Sequence, residues 1–256
     1  MAMMKTTVRQ FKNLEQASVA VVEQVVNCAR SAVSEKGFCT IVLAGGKTPR
    51  LAYEILSEKS FANQMPWQQS HFFWGDERWL ASQHPDSNFS MAWNALLSKV
   101  QVPSRNIHKI PTGHKSPEIG AEMYEKHLRD FFHSKLLTET VRISEGIIFP
   151  RFDFVLLGMG QDGHTASLFP ESNFLEEKKK WVAAVKEDTG SPPVPRITLT
   201  LPVLNQAKTI LFLLSGSKKR GILDTILDKP EMAETLYPAA HVKPRENLTW
   251  IVAEKD

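Results

Sequence analysis

Residues 153–170 read Asp-Phe-Val-Leu-Leu-Gly-Met-Gly-Gln-Asp-Gly-His-Thr-Ala-Ser-Leu-Phe-Pro. The apolar run within this stretch, Phe154 to Leu157, is typical of a strand buried on both faces of a parallel sheet. Three glycines follow within six residues, together with Asp-Gly-His. In an open α/β sheet, ligands bind at the carboxyl ends of the strands. The stretch therefore predicts a parallel α/β sheet with a ligand site directly after this strand.

The rest of the chain alternates short apolar runs with helical patterns. Further strands are predicted at 39–44, 71–74, 107–110, 181–185, 196–201, 209–214 and 248–253. Helices are predicted at 14–33, 49–56, 87–97, 116–132 and 218–227. This order predicts the α/β class, with a mostly parallel sheet covered by helices on both faces. Without an internal repeat or a composition shift, residues 1–256 are expected to form a single domain.

Composition and charge limit the classes of function. A net charge of +3 over 256 residues is too small to argue for nucleic acid binding. Cys28 and Cys39 have neither metal-site nor redox spacing, which favours a reducing compartment. The amino terminus has no signal-peptide pattern, and no apolar run reaches transmembrane length. We therefore expect a cytoplasmic protein that binds neither nucleic acid nor a membrane.

The glycine segment has an alternative interpretation. Residues 158–163 spell G-x-G-x-x-G after a strand, and Glu187 with Asp188 follows the next apolar run, as in a dinucleotide-binding fingerprint. Pro170, however, would interrupt the helix that this fingerprint requires. The fingerprint also gives no role to the Asp-Gly-His. A dinucleotide site is thus the weaker hypothesis.

His164 is the candidate catalytic residue, because imidazole is the side chain best suited to proton transfer near neutral pH. Asp162 would either orient that imidazole or cap a following helix. No other histidine has metal-ligand spacing to it, so no metal is expected. Since no Gly-x-Ser-x-Gly elbow is present, water activated by His164 is the expected nucleophile. A histidine with a purely structural role is the alternative.

A second candidate site lies after the 39–44 strand. Gly45 and Gly46 precede a helix, so their N–H groups form a nest that favours phosphate. Lys47 and Thr48 then resemble the end of a P-loop, but Ile41 stands where that motif needs a glycine. A simple phosphate is therefore predicted rather than ATP hydrolysis. A tight turn without a ligand is the alternative.

Two arginines are candidate anion ligands. Arg78, after the 71–74 strand, offers a two-pronged donor for phosphate or carboxylate, although a surface ion pair with Asp76 and Glu77 is the alternative. Arg196 begins a strand after a proline-rich loop and is placed to reach a ligand from the opposite rim. A solvated arginine is the alternative there. Residues 84–88 are predicted to form a turn and a helix cap.

Taken together, these motifs resemble the 6-phosphogluconolactonase family. The resemblance is carried by Ala-Gly-Gly-Lys-Thr-Pro (44–49), Gly-Asp-Glu-Arg-Trp (75–79), His-Pro-Asp-Ser-Asn (84–88), the 158–170 block, Arg-Ile-Thr-Leu-Thr (196–200) and the segment 238–250. It implies a modified Rossmann-like fold like that of glucosamine-6-phosphate deaminase. It also implies hydrolysis of 6-phospho-D-glucono-1,5-lactone to 6-phosphogluconate, in the oxidative pentose phosphate pathway, without a cofactor. We expect a monomer.

The resemblance also implies roles for the candidate residues. His164 would take a proton from water and return one to the departing ring oxygen, while Asp162 orients the imidazole. The residues expected to contact substrate are Gly45, Gly46, Lys47, Thr48, Asp76, Arg78, Gly160 and Arg196. The family usually has Ser in place of Lys47, so this lysine either contacts phosphate or faces solvent.

Two alternatives of function remain at this point. The related deaminase carries Asp-Gly-His-x-Ala-x-x-Glu, and its active-site glutamate corresponds to Phe169 here, which favours the lactonase. A sugar-phosphate sensor without catalytic activity on the same fold is the other alternative.

Overall fold

Strands and helices alternate along the chain. The computed structural model describes residues 5–134, 140–144, 146–170, 172–186 and 190–255, and of 140–144 the backbone only. The strands are β1 Lys5–Phe11, β2 Cys39–Leu43, β3 Ser70–Trp74, β4 Asp76–Arg78, β5 Ile107–His108, β6 Thr140–Ser144, β7 Ile147–Pro150, β8 Phe154–Leu157, β9 Val182–Val185, β10 Arg196–Leu199, β11 Thr209–Ser215 and β12 Asn247–Ala253. The helices are α1 Leu14–Lys36, α2 Lys47–Leu56, α3 Lys59–Ala62, α4 Asn88–Ala95, α5 Pro117–Ser134, α6 Leu201–Leu204, α7 Ser217–Asp228 and α8 Pro230–Leu236.

Seven strands form the central sheet, in the order β1-β12-β11-β8-β2-β3-β5. Every neighbouring pair in this sheet is parallel. The chain proceeds from β2 to β3 and β5 in one direction and from β8 to β11 and β12 in the other. The strand order therefore reverses between β2 and β8, where α/β folds place ligands. β2, β3 and β8 are buried at every residue, as expected for a sheet covered on both faces.

The predicted α/β class is confirmed, and three features extend it. The predicted strands at 181–185 and 196–201 lie outside the central sheet, in an antiparallel sheet of order β4-β10-β9. The described residues between β9 and β10 form no crossover helix, as is typical of an antiparallel pair. β1 was missed, because this edge strand is mostly exposed and has no apolar run. The hairpin of β6 and β7 was missed as well.

The segment after β8 decides against the dinucleotide hypothesis. Residues 158–170 form turns and no α-helix, whereas the fingerprint requires a helix that begins at its third glycine. The acidic pair of that fingerprint, Glu187 and Asp188, lies outside the described residues. None of the described helices is long and apolar enough to cross a membrane.

A buried carboxylate joins the central strands at the end opposite to the glycine turns. Asp153 is 1% exposed, and its Oδ2 accepts hydrogen bonds from the N–H and the hydroxyl of Thr40 in β2, both at 2.9 Å. The Nζ of Lys36, at the end of α1, lies 3.0 Å from Oδ2, and the Nζ of Lys208, just before β11, lies 3.4 Å from Oδ1. Asp153 thereby connects β8 with both of its neighbours.

Three histidines form a hydrogen-bonded chain beside the sheet. The Nδ1 of His71 lies 3.0 Å from Nε2 of His108, whose Nδ1 lies 2.8 Å from Nε2 of His127 on α5. Each contact needs one proton between its two nitrogens, which three neutral imidazoles supply. Burial lowers the pKa of His127, against the opposing charge of Asp130. The folded protein therefore favours the neutral form of His127.

We expect Thr40→Val to destabilise the protein by about 2 kcal/mol. The substitution keeps the shape but removes the hydrogen bond from the hydroxyl to the buried Asp153 carboxylate, and a hydrogen bond to a charged group is worth roughly 1.5–3 kcal/mol. Urea unfolding measures the difference. Thr249→Val is the control, because the Thr249 hydroxyl has no hydrogen-bond partner among the described residues. Equal stability of the Thr40 variant and wild type would contradict the role of Asp153.

We expect the free energy of unfolding to fall as the pH is lowered from about 7.5 to about 5. Because the folded protein favours neutral His127, its contribution is complete above the ordinary histidine pKa of about 6.5 and is lost below it. His127→Gln supplies an uncharged hydrogen-bonding group, so its stability should depend less on pH. His133→Gln, an exposed change on the same helix, should keep the wild-type dependence. An unchanged profile in His127→Gln would refute this assignment.

Candidate active site

A cavity of about 180 Å³ opens at the carboxyl ends of β2, β3 and β8, where the strand order reverses. Nine of the ten residues predicted from the sequence line it: Gly45, Gly46, Lys47, Thr48, Asp76, Arg78, Gly160, His164 and Arg196. The tenth, Asp162, contacts His164 from behind. Tertiary structure thus brings the three separate strand-end motifs and Arg196 to one place.

The His164 imidazole is held by its own turn. The Oδ1 of Asp162 lies 2.6 Å from Nδ1 of His164 and accepts a hydrogen bond from the His164 N–H at 3.1 Å. Burial by itself raises the pKa of Asp162, but the hydrogen bonds and charge of His164 outweigh this effect and lower it. An ionised Asp162 places the imidazole proton on Nδ1, which leaves the Nε2 lone pair to accept a proton. Asp162 caps no helix, because none begins here, so that alternative is wrong.

Gly160 makes room for this pair of side chains. A Cβ atom at position 160 would lie 2.1 Å from Nδ1 of His164 and 2.5 Å from Oδ1 of Asp162. The Gly160 N–H donates to the His164 carbonyl at 2.8 Å. This donor is therefore committed within the turn. The role of Gly160 in this structure is steric.

Arg196 is buried rather than solvated, so the alternative considered for it is wrong. It is 3% exposed at the start of β10, where one guanidinium nitrogen donates to the carbonyl of Pro192 at 3.0 Å. Another lies 4.0 Å from Oδ2 of Asp76, and Nε has no partner among the described residues. Burial lowers its pKa, against the charge of Asp76. A buried cation with donors to spare beside a cavity favours an anionic ligand.

Phe169 connects His164 with Arg196. Its ring centroid lies 4.6 Å from that of the imidazole, and the Arg196 guanidinium carbon lies 5.6 Å from the same ring. Phe169 is 4% exposed. The Phe169 ring therefore packs against the His164 imidazole on one side and the Arg196 guanidinium on the other. It brings no acidic group to the cavity.

Asp76 and Glu77 have separate partners, so the surface ion pair proposed for Arg78 is wrong. The Glu77 carboxylate accepts from the N–H groups of Arg78, Asn88 and Phe89 and from the Ser87 hydroxyl, at 2.7–2.9 Å. It thus closes the first turn of α4, the helix that Ser87 caps as predicted. Burial raises the pKa of Glu77, against these hydrogen bonds.

Arg78 and Asp76 remain at the cavity. Arg78 donates to the Asp86 carbonyl at 2.6 Å, and its Nε has no partner in the described part of the chain. Asp76 is 7% exposed, and its Oδ2 accepts from the Ser167 hydroxyl at 2.6 Å. Sequence reasoning missed Ser167, since nothing local connects it with a residue 91 positions away.

The turn before α2 forms another wall of the cavity. Gly46 stands at the amino-terminal cap of α2 and has no side chain to cap the helix. The N–H groups at the start of α2 therefore have no intrahelical partner and favour an anion. Lys47 is the first residue of α2; it is exposed and lines the cavity.

Two further lining residues were missed by sequence reasoning. Lys219, in the first turn of α7, belongs to the basic run Lys218 to Arg220, and a short run of this kind in a helix is typical of solvated surface. In the structure, however, Lys219 lines the cavity. A signal existed: Ser215-Gly216 before α7 repeats the strand–glycine–helix pattern of the α2 turn. Asn88 also lines the cavity, although residues 84–88 were interpreted only as a turn and cap.

The electrostatics of the cavity suit an anion beside a base. Among the described residues, four cationic side chains line it, namely Lys47, Arg78, Arg196 and Lys219, against the one carboxylate of Asp76. No three His, Cys, Asp or Glu side chains of the described residues are arranged to hold a metal ion. A larger groove of about 720 Å³ lies between α5 and β9. Six of its eight charged lining residues are ion-paired with one another, as in Glu118 with Lys186 and Glu125 with Arg129. Its described lining residues include no histidine or cysteine, so it lacks a comparable reactive group.

The comparisons with known sequences agree on one family. The model of the family described as glucosamine-6-phosphate isomerases/6-phosphogluconolactonase matches residues 12–250. A 6-phosphogluconolactonase from Nostoc is 36% identical over 249 residues, covering 97% of this chain and 96% of the relative. Another from Synechocystis is 38% identical over 242 residues, covering 94% and 91%.

Solved structures agree as well. A 6-phosphogluconolactonase from Thermotoga maritima has a TM-score of 0.79 at 32% identity, covering 98% of this chain and 100% of the other. One from Trypanosoma brucei has a TM-score of 0.84 at 28% identity, covering 98% and 97%. A monomeric glucosamine-6-phosphate deaminase has a TM-score of 0.74 at 18% identity, covering 95% and 96%, and shares the fold.

We expect inorganic phosphate to bind in this cavity and Arg196→Met to weaken the binding by about ten-fold or more. Hydrogen bonds to charged groups contribute roughly 1.5–3 kcal/mol each. Titration calorimetry measures the affinity, and circular dichroism verifies that the variant is folded. Arg105→Met removes an exposed arginine outside the cavity and should bind phosphate like wild type. Equal affinities for the two variants would exclude Arg196 as an anion ligand.

Proposed function

The chain belongs to the glucosamine-6-phosphate isomerase/6-phosphogluconolactonase family, and we propose that it hydrolyses 6-phospho-D-glucono-1,5-lactone to 6-phosphogluconate in the oxidative pentose phosphate pathway. The observation that carries the proposal is the pairing of His164 with Asp162 in the same cavity as a cluster of cations. A sugar-phosphate lactone needs both parts: a base to activate water and cations to hold a phosphate.

In the proposed complex, Arg78, Arg196 and Lys219 bind the phosphate together with the free N–H groups before α2. Thr48, in the first turn of that helix, supplies a hydroxyl at the same wall. Asp76 accepts a hydrogen bond from a sugar hydroxyl, since its carboxylate is an acceptor only. Binding of the phosphate explains why a protein of small net charge has a strongly cationic cavity.

In the proposed reaction, Nε2 of His164 takes a proton from water while the water oxygen bonds to the lactone carbonyl carbon. Asp162 stabilises the imidazolium that forms. The negative charge that develops on the carbonyl oxygen lies in the positive field of the cavity, while Arg78, Arg196 and Lys219 remain in contact with the phosphate. The bond between this carbon and the ring oxygen then breaks, and the imidazolium returns the proton to the ring oxygen. The product is the open-chain acid.

Two features favour this reaction over the alternatives. Of the described residues that line the cavity, none is a serine or a cysteine, so attack by water agrees with the side chains present. Phe169 stands where the resemblance to the deaminase would require an active-site glutamate. An apolar ring at this position supports the lactonase, because it cannot take part in the acid–base steps of amine chemistry.

The proposed enzyme is a monomer of one domain that acts in the cytoplasm without a cofactor. The side chains assigned to the proposed steps all come from one copy of the chain, which is consistent with a monomer. The central sheet contains strands from both ends of the chain, β1 and β12, which supports a single domain. The proposed steps use only water and side chains.

We expect the protein to hydrolyse the lactone faster than its spontaneous opening, and His164→Ala to lower kcat by ~10²–10⁴-fold, as is usual for a general base. Acid release in a pH-stat measures both rates. His114→Ala, an exposed change outside the cavity, should retain wild-type activity. Equal rates for wild type and His164→Ala would remove His164 from the mechanism. Binding of 6-phosphogluconate without turnover would favour the sensor.

A further inference from the structure

We propose that Asn88 is a positioning residue that fixes Asp76 and the Gly45 turn relative to each other. The inference rests on the proposed function, because these two groups form the sugar-binding and phosphate-binding sides of one cavity. Asn88 is 1% exposed and is the first residue of α4. Its side chain reaches both walls.

Asn88 holds Asp76 through the amide nitrogen. Nδ2 donates to the Asp76 carbonyl at 2.8 Å and to its Oδ1 at 3.2 Å. These two acceptors also determine the orientation of the amide, since the reverse orientation would set Oδ1 against two oxygens. Ser167 holds the other carboxylate oxygen. The Asp76 carboxylate is therefore fixed from two sides.

The other end of the same amide packs against Gly45. A Cβ atom at position 45 would lie 1.9 Å from Oδ1 of Asn88 and 2.2 Å from its Cγ. This Oδ1 is buried and has no hydrogen-bond partner among the described residues. It therefore faces the backbone of the turn directly. The amide is wedged between Gly45, the second residue after β2, and Asp76, the first residue of β4.

The main chain of Asn88 is fixed as well. Its N–H donates to Oε1 of Glu77 at 2.8 Å, and Glu77 directly follows Asp76 in the sequence. Side chain and main chain of Asn88 are thus both tied to the β4 segment, while the amide carries the contact across to Gly45. The span between the two walls is set by one asparagine, and shifts of about 1 Å in a site can cost ~10²-fold in rate.

Asn88→Asp tests the donor without changing the shape. The new carboxylate would face Asp76, with Glu77 and Arg196 as the other charged groups nearby. Two adjacent carboxylates cannot both ionise easily, and a shared proton restores the hydrogen bond. We expect kcat/KM of Asn88→Asp to be about 100-fold below that of wild type near pH 8. As the pH falls to about 6, the kcat/KM of the variant should move closer to that of wild type. A group with only a packing role would not give this pH dependence.

A suppression experiment tests the Gly45 contact. Gly45→Ala should lower kcat/KM by about 100-fold, because its Cβ collides with the amide, whereas Asn88→Ala should lower it by about ten-fold. The double variant should recover to the level of Asn88→Ala, since the collision is gone. Gly221→Ala, in α7 with nothing within 4 Å of an added Cβ, is the matched control and should retain wild-type activity.

Two results would overturn the proposal: wild-type kcat/KM in Asn88→Ala, or a double variant no better than Gly45→Ala. Titration calorimetry with phosphate on the same variants tests the Asn88 proposal even if the proposed function is wrong. If wild type does not hydrolyse the lactone, the proposed function fails. The recovery of phosphate affinity in the double variant then supports the Asn88 contact with the turn, and its absence refutes it.

Discussion

The carboxylate of Asp153 is the constraint on which the cavity depends. It is a buried charge, which is costly unless it is fully partnered, and its partners come from α1, from β2 and from the residue before β11. Fixing one end of these parallel strands determines where their other ends arrive. A slip of one residue would turn every side chain to the opposite face. The turns that carry Gly45, Gly160 and Lys219 meet because this far end is fixed.

Neighbouring acidic residues after β3 show how strand geometry separates structural from functional roles. Side chains alternate along an extended chain, and Asp76 and Glu77 accordingly serve different partners. Glu77 satisfies the first turn of α4, while Asp76 lines the cavity beside Arg196. Because α4 begins with Asn88, the helix that Glu77 stabilises also delivers the amide that fixes Asp76. Glu77 thus stabilises the helix whose first residue, Asn88, fixes the neighbouring Asp76.

Function on this fold depends on a few side chains rather than on its architecture. Solved structures of lactonases and of a deaminase share the sheet, so the sheet alone does not distinguish hydrolysis from amine chemistry. In the proposed function Phe169 makes this distinction, because an apolar ring between His164 and Arg196 supports a base and an anion ligand without adding an acid. The proposed chemistry then requires nothing beyond water.

The sequence by itself determined what depends on neighbours along the chain. Apolar runs marked the buried strands, glycines marked the turns, and His164 was found with its partner only two residues away. Tertiary structure alone decided the contacts between distant segments: the burial of Arg196 beside Asp76, the place of Lys219 in the cavity and the amide of Asn88 against Gly45. Sequence reasoning also did not predict the edge strand β1, since its exposed residues have no apolar pattern. Such features depend on packing between separate segments, which local periodicity does not record.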